Sequence, residues 1–330
     1  MRSMGLGAEQ VPPQAGRLAV VTGATGGIGY EIALALAQGC ADVIVAGRNE
    51  ARGRGVAGKI RSLAPRSLVR FEKLDLSELA SVKAFANRLA AQGRPVDLLL
   101  NNAGVMALPS RQVTSDGFEM QFATNYLGHF ALTALLLPLL RLNRGSRVVT
   151  VSSVVHRLGK ICFEDLQGKH RYRPWTAYFQ SKLAALLFAR ELQDQSDTHG
   201  WGLLSCAVHP GYAQTGLIAN GTGRASLLSL LSRSFGRILS QSAAEGAWSA
   251  LFAAVSEEAE PGGFYGPGGL FEFAGPPASA YVSMRARDHA VARELWRISS
   301  QLAGVSWPAD LTREWSPPAE PVRLQAQSSS

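Results

Sequence analysis

Tyr178 and Lys182 stand four residues apart in Tyr178-Phe179-Gln180-Ser181-Lys182, and on a helix that spacing brings phenol and ammonium out on one face. The chemistry open to such a pair is proton transfer at oxygen. Reducing a carbonyl needs a proton donor beside the oxygen while hydride reaches the carbon, and the reverse oxidation needs a base there. A free phenol, with a pKa of about 10, is a poor base at neutral pH. A nearby ammonium stabilises the phenolate and lowers that value. Pairs at this spacing are common by chance, so the surroundings decide.

Hydride needs a carrier. Thr22-Gly23-Ala24-Thr25-Gly26-Gly27-Ile28-Gly29 follows the strand-like run Leu18–Thr22 and opens a helical stretch from about Ile28 to Gln38. A strand turning sharply into a helix aims unpaired N–H groups and a positive dipole end at a pyrophosphate. Gly23, Gly27 and Gly29 permit the turn, the close backbone approach and the helix–strand packing, with Thr25 and Ile28 in the same loop. The second strand ends Val45-Ala46-Gly47-Arg48-Asn49, with no carboxylate for an adenosine 2′-hydroxyl. A guanidinium can instead grip a 2′-phosphate with paired hydrogen bonds. Arg48, with Asn49 beside it, therefore makes NADP(H) the preferred cofactor and leaves NAD(H) permitted; no second cation is evident there.

The glycine spacing resembles the TGxxxGxG loop of the short-chain dehydrogenase/reductase family, and the resemblance extends over about residues 17–275. It implies further roles. Asp75-Leu76 resembles the pair that contacts the adenine amino group, and Asn101-Asn102-Ala103-Gly104 resembles the NNAG segment lining the cofactor channel through Asn102, Ala103 and Gly104. Ser153 is the serine that would polarise the substrate oxygen, with Ser152 as the competing choice. Asn125 would hold a proton-relay water near the lysine, and Lys182 would also hold the nicotinamide ribose. Pro210 and Gly211 would pack by the nicotinamide and Thr215 would bind its carboxamide, whereas His209 reads as a structural neighbour. The stretch between Ser153 and Tyr178 is long and resembles the retinol-dehydrogenase-like branch, which implies a bulky apolar substrate; it adds His156, Phe163, Tyr172 and Trp175.

Positioning these residues falls to alternating elements. Apolar runs at Leu18–Thr22, Asp42–Ala46, Val69–Leu74, Val96–Leu100, Arg147–Val151 and Leu203–Val208 read as strands, with a short seventh near Phe264–Tyr265. Helical stretches between them include Ser77–Ala91, Gly117–Leu140 and Ala177–Gln193. Strands apolar on both faces and separated by helices predict an α/β fold, a doubly wound parallel sheet of the Rossmann type in a single domain. Residues 1–15 are expected as a flexible arm, 16–305 as the catalytic domain with a substrate lid at about 212–245, and 306–330 as a disordered tail. The lid carries Leu227, Leu228, Leu231, Phe235, Ile238 and Leu239 on one helical face, edged by Arg224, Arg233 and Arg237.

Composition narrows the class. The 330 residues carry a formal net charge of +8, but the basic residues are scattered and no nucleic-acid-binding motif accompanies them. Cys40, Cys162 and Cys206 form no metal-ligand pattern, so no metal and no disulfide framework is expected. The first residues lack the apolar core of a signal peptide, and a cytoplasmic location is expected. A small-molecule carbonyl or alcohol is the expected partner, with peripheral membrane contact and homo-oligomerisation both compatible. Two other functions compete: C=C reduction of the protochlorophyllide-reductase-like type, and a non-catalytic dinucleotide-binding interaction protein. Scaffolds of the second kind often lose the tyrosine or the lysine, and this chain keeps both.

Overall fold

Residues 11–211 and 242–308 are described by the computed structural model. Strands are β1 Leu18–Thr22, β2 Asp42–Gly47, β3 Val69–Lys73, β4 Leu98–Asn101, β5 Arg147–Val151, β6 Leu204–Val208, β7 Phe264–Pro267 and β8 Pro277–Ser279. Helices are α1 Gly27–Gln38, α2 Glu50–Leu63, α3 Leu79–Ala90, the single turn α4 Met120–Phe122, α5 Gly128–Leu140, α6 Pro174–His199, α7 Ala243–Val255 and α8 His289–Ala303. The strands form one sheet in the order β3-β2-β1-β4-β5-β6-β7-β8, parallel except for the antiparallel β7–β8 edge pair.

Two-residue periodicity in β1 builds both cores. Leu18 and Val20 face Phe85 of α3, Phe130 of α5, Phe188 of α6 and Leu295 of α8. Ala19 and Val21 face Ile32 of α1, Ile60 of α2 and Phe252 of α7. The order reverses direction beside β1 and β4, where a doubly wound sheet opens its ligand crevice at the carboxyl ends of the strands. The expected doubly wound parallel sheet is present.

Several boundaries differ from the sequence expectation. Part of the expected arm is docked: Val11 packs on the second core, and Gln14 N–H donates to Gly39 O at 2.6 Å. Trp307, within the expected tail, is docked: it packs against Trp296 and Trp201 with centroids 4.3 and 5.7 Å away. Composition cannot register one aromatic docking into a cluster. Most of the lid, including Thr215, lies outside the described residues. Its last part, Ser242–Glu245, is instead the start of α7, held by a capping box between those two residues.

Helix α2 gave no amphipathic signal because it carries Gly53, Gly55 and Gly58. Gly53 is required there: a Cβ would fall 2.1 Å from the Phe71 ring. Pro138 lies in the last turn of α5 and does not interrupt it. The helical run Met120–Leu140 is long and apolar enough to cross a membrane, but 83% of its apolar window is buried inside the protein.

Candidate active site

Helix α6 starts with Pro174 in its first turn and carries Tyr178 and Lys182 into the sheet's carboxyl end, 7% and 5% exposed. Lys182 Nζ lies 5.9 Å from the Tyr178 ring centroid and donates to Val151 O at 3.0 Å. That carbonyl is its only hydrogen-bond partner among the described residues, so a buried ammonium with three donors keeps two for a ligand. Burial pulls the Lys182 pKa down to about 8. Burial also pushes the Tyr178 phenol up to about 12, with a hydrogen bond to Ser153 acting against it. Desolvation, opposed by Ser153 and not by Lys182, sets the phenol here, contrary to the expected depression by the ammonium. A phenol that keeps its proton is a donor, which suits reduction.

Strand β5 resolves the two serines. Ser152 is buried and donates from Oγ to Lys182 O at 2.7 Å, a structural tie. Ser153, half-buried and one residue on, meets the phenol. Asn125 sits in a π-helical turn, Ala123–Leu127, a distortion common at functional sites. Its Nδ2 donates to Val105 O at 2.8 Å and Ser181 Oγ at 2.9 Å, and its Oδ1 accepts Val105 N–H at 2.7 Å. Its amide donors are thus fully used in binding the loop after β4 to α6; the water-holding role implied for it is not one these amide hydrogens can take.

Behind this group lies a histidine that sequence reasoning passed over. Thr22 Oγ1 accepts N–H bonds from Asn102 (2.9 Å) and Ala103 (3.0 Å) and donates to Leu100 O at 3.1 Å. His129 Nδ1–H faces the Asn125 carbonyl at 3.3 Å, so in the neutral ring Nε2, 2.9 Å from Thr22 Oγ1, is the acceptor nitrogen. Burial lowers the His129 pKa to about 3, so it stays neutral and links the end of β1 to the Asn125 turn.

The dinucleotide loop fits its expected ligand. Gly23 has φ +66°, and a Cβ there would lie 2.8 Å from Ala103 Cα. A Cβ on Gly29 would lie 2.5 Å from Asn102 Nδ2 and 2.6 Å from Gly23 O. Helix α1 begins at Gly26 with no side-chain cap and no acidic residue in its first turn, leaving its N–H groups to an anion. Gly27 has φ 55°; Ile28 is buried in the second core, and the Thr25 methyl covers Gly47, where a Cβ would lie 3.0 Å away. Gly104 leaves room beside Lys182, whose Nζ would be 3.6 Å from a Cβ.

At the adenosine end, Arg48 is exposed and unpaired among the described residues. Asn49 caps α2, its Oδ1 accepting Arg52 N–H at 2.9 Å, so that oxygen is engaged in holding the turn. A second cation is present after all. Arg52 donates from Nε to Thr25 O at 2.8 Å, and its Nη2 lies over Gly26. The signal was available: Arg48 and Arg52 are four apart at a helix start. Asp75 uses Oδ1 on Ser77 N–H and hydroxyl, and Leu76 packs in the core with its carbonyl against Gly128.

At the nicotinamide end, Gly211 has φ +68°, and a Cβ would meet Phe273 O at 2.4 Å. The inserted segment closes the other side. Tyr172 Oη donates to Leu108 O at 2.8 Å, Phe163 packs on the core, and His156 is fully buried, so these three hold structure. Trp175, 37% exposed with its ring 6.2 Å from that of Tyr178, is the member of the four placed at the mouth of the site.

Comparison with known proteins agrees with this geometry. A family model described as short chain dehydrogenase matches residues 17–223. Mouse polyprenol dehydrogenase is 43% identical over 298 residues, covering 89% of this chain and 86% of that protein. Human retinol dehydrogenase 12 is 42% identical over 294 residues, 88% of each. An uncharacterized protein from Mycobacterium paratuberculosis superposes with a TM-score of 0.76 at 39% identity, covering 92% of this chain and all (100%) of that one. A short chain dehydrogenase from Escherichia coli CFT073, solved with NADPH, gives a TM-score of 0.59 at 25% identity, over 78% of this chain and 97% of that one.

Proposed function

Because this chain belongs to the short chain dehydrogenase family and is an oxidoreductase, we propose that it uses NADP(H) to interconvert a carbonyl and an alcohol on a bulky lipophilic substrate. The observation that carries the reading is the convergence of Ser153, Tyr178 and Lys182 beside an uncapped, glycine-lined helix N-terminus.

Bound nicotinamide supplies the hydride or takes it up. In reduction, Tyr178 gives the proton of its Oη to the substrate oxygen. Ser153 Oγ–H donates to that oxygen as negative charge builds, an oxyanion-stabilising role. Lys182 would direct its free N–H groups at ribose hydroxyls, and its charge stabilises the phenolate left once Tyr178 has given up its proton. Gly23, Gly27 and Gly29 admit the pyrophosphate to the backbone of α1. Arg48, with Arg52 behind the loop, favours a 2′-phosphate over a bare hydroxyl. Relatives named for retinol and polyprenol support a lipophilic alcohol or its carbonyl form, and Trp175 offers an apolar surface to it.

Titration of NADPH and NADH into the protein, followed by a screen of lipophilic aldehydes, ketones and alcohols, tests the reading. NADPH is expected to bind more tightly than NADH, and Arg48→Ala to weaken NADPH by about tenfold while leaving NADH nearly unchanged. Tyr178→Phe should bind cofactor and turn over nothing. Equal losses for both cofactors would remove the phosphate role of Arg48, and turnover in Tyr178→Phe would sink the mechanism.

A further inference from the structure

Three segments meet at one carboxylate. Glu272 lies between β7 and β8, and its Oε2 accepts from Arg157 Nη2 at 2.5 Å and from His209 Nε2 at 3.1 Å. Its Oε1 accepts Tyr281 N–H at 3.0 Å. His209 follows β6 and is 0% exposed; on its other side Nδ1 accepts Gly211 N–H at 3.2 Å. A neutral imidazole has one donor and one acceptor nitrogen. The Glu272 carboxylate can only accept, so the ring proton stands on Nε2 and points at it, which leaves Nδ1 free to accept Gly211 N–H. Burial favours this neutral form.

The second arm reaches the catalytic serine. Arg157 belongs to the 3-10 turn Val154–Leu158, which starts directly after Ser153. In the same turn, His156 holds Ser153 O through Nδ1 at 2.8 Å and takes Ser283 N–H on Nε2 at 3.4 Å. Both histidine rings lie on Phe264, with centroids 5.2 and 5.3 Å away. The loop that presents the carboxylate adopts left-handed backbone at two non-glycine residues, Phe271 (φ 52°) and Glu272 (φ 60°). Such conformations persist only where the surrounding structure enforces them, and they gather at ligand clamps.

We propose that Glu272 is a positioning residue that sets the Ser153 segment and the Pro210–Gly211 turn in one joint geometry, through Arg157 on one side and the His209 tautomer on the other. The inference rests on the reading above, in which Ser153 faces the substrate oxygen and the turn packs by the nicotinamide. Glu272 touches neither. Its carboxylate makes the hydrogen-bond pattern of His209 single-valued, and the turn inherits that order.

The test uses the full chain and the near-isosteric Glu272→Gln. Nitrogen-labelled histidine NMR of the cofactor-free protein reads the tautomer directly. The wild-type protein is expected to show His209 protonated on Nε2, and E272Q to show a mixture or exchange broadening. NADPH Kd should rise about tenfold in E272Q. The double variant E272Q/H209N should recover most of that loss, because an asparagine Oδ1 near the Nδ1 position accepts Gly211 N–H with no tautomer to choose. An unchanged His209 tautomer in E272Q overturns the proposal. So does a lowered Tm with unchanged NADPH Kd, which marks a loop anchor only, and so does a double variant no better than E272Q. A wild-type protein that binds neither dinucleotide overturns the cofactor reading instead, and the tautomer measurement then still decides the role of Glu272.

Discussion

At the scale of single residues, burial sets the protonation of the reacting pair. Desolvation draws Lys182 down to about 8 and pushes Tyr178 up to about 12, so at neutral pH the phenol holds its proton and the amine is mostly charged. Raising the pH through about 8 removes the ammonium first, and with it the donors for ribose and the charge that assists Tyr178. The pH profile of kcat/KM for carbonyl reduction, which reports the free enzyme, should therefore fall on the alkaline side with a limb near 8. A profile flat to about pH 10 would mean that the charge on Lys182 does not matter to the chemistry. Tyr178 and Lys182 were legible because their spacing is local in the chain, and Ser153 through the family resemblance of the serine pair after β5. Glu272 was not: it lies 63 residues from His209 and 115 from Arg157, and no local pattern marks it.

At the scale of elements, the crevice depends on backbone packed against backbone. The end of β1, the first turn of α1 and the Asn102–Gly104 segment are tied by Thr22 and separated by glycines too close to neighbours to accept a side chain. Gly29→Ala would force its methyl onto Asn102 Nδ2 and Gly23 O. It should destabilise the fold by about 1–3 kcal/mol, an overpacking cost, and weaken dinucleotide binding at least tenfold. Denaturant unfolding and NADPH titration check the two effects, and a variant normal in both would show that the loop has room to spare. These turns were readable because glycine spacing reports backbone geometry directly. Helix α2 was not, since Gly53 is there to admit the Phe71 ring, a tertiary demand that erases the helical signal.

At the scale of the whole molecule, the described chain closes on itself around aromatic rings. Trp307, near the end of the described residues, packs with Trp296, Trp201, Phe130 and Phe188 over the face that carries α5, α6 and α8. Trp307→Ala should cost about 2 kcal/mol, below the range for a fully buried tryptophan because this one is partly exposed. The urea midpoint would show it; an unchanged midpoint would mean the ring contributes nothing. The parallel sheet and its covering helices followed from alternating apolar runs, whereas the strand order, this docking and the antiparallel edge strand β8 did not. The last two depend on contacts closed only after the sheet exists.

Ser152 and Ser153 carry a further consequence. Side chains along extended chain point alternately to opposite sides, so which serine braces α6 and which is left for the proposed substrate role is a matter of odd and even counting on from β5. Neighbours pair with β5 on both sides, Val149 lying opposite Leu100 and Cys206, and they leave it no freedom to slide. Loops around this site can lengthen or shorten over generations without exchanging the two hydroxyls. A single residue gained or lost inside β5 would swap them, which makes the parity of one short strand as much a part of the chemistry as the tyrosine itself.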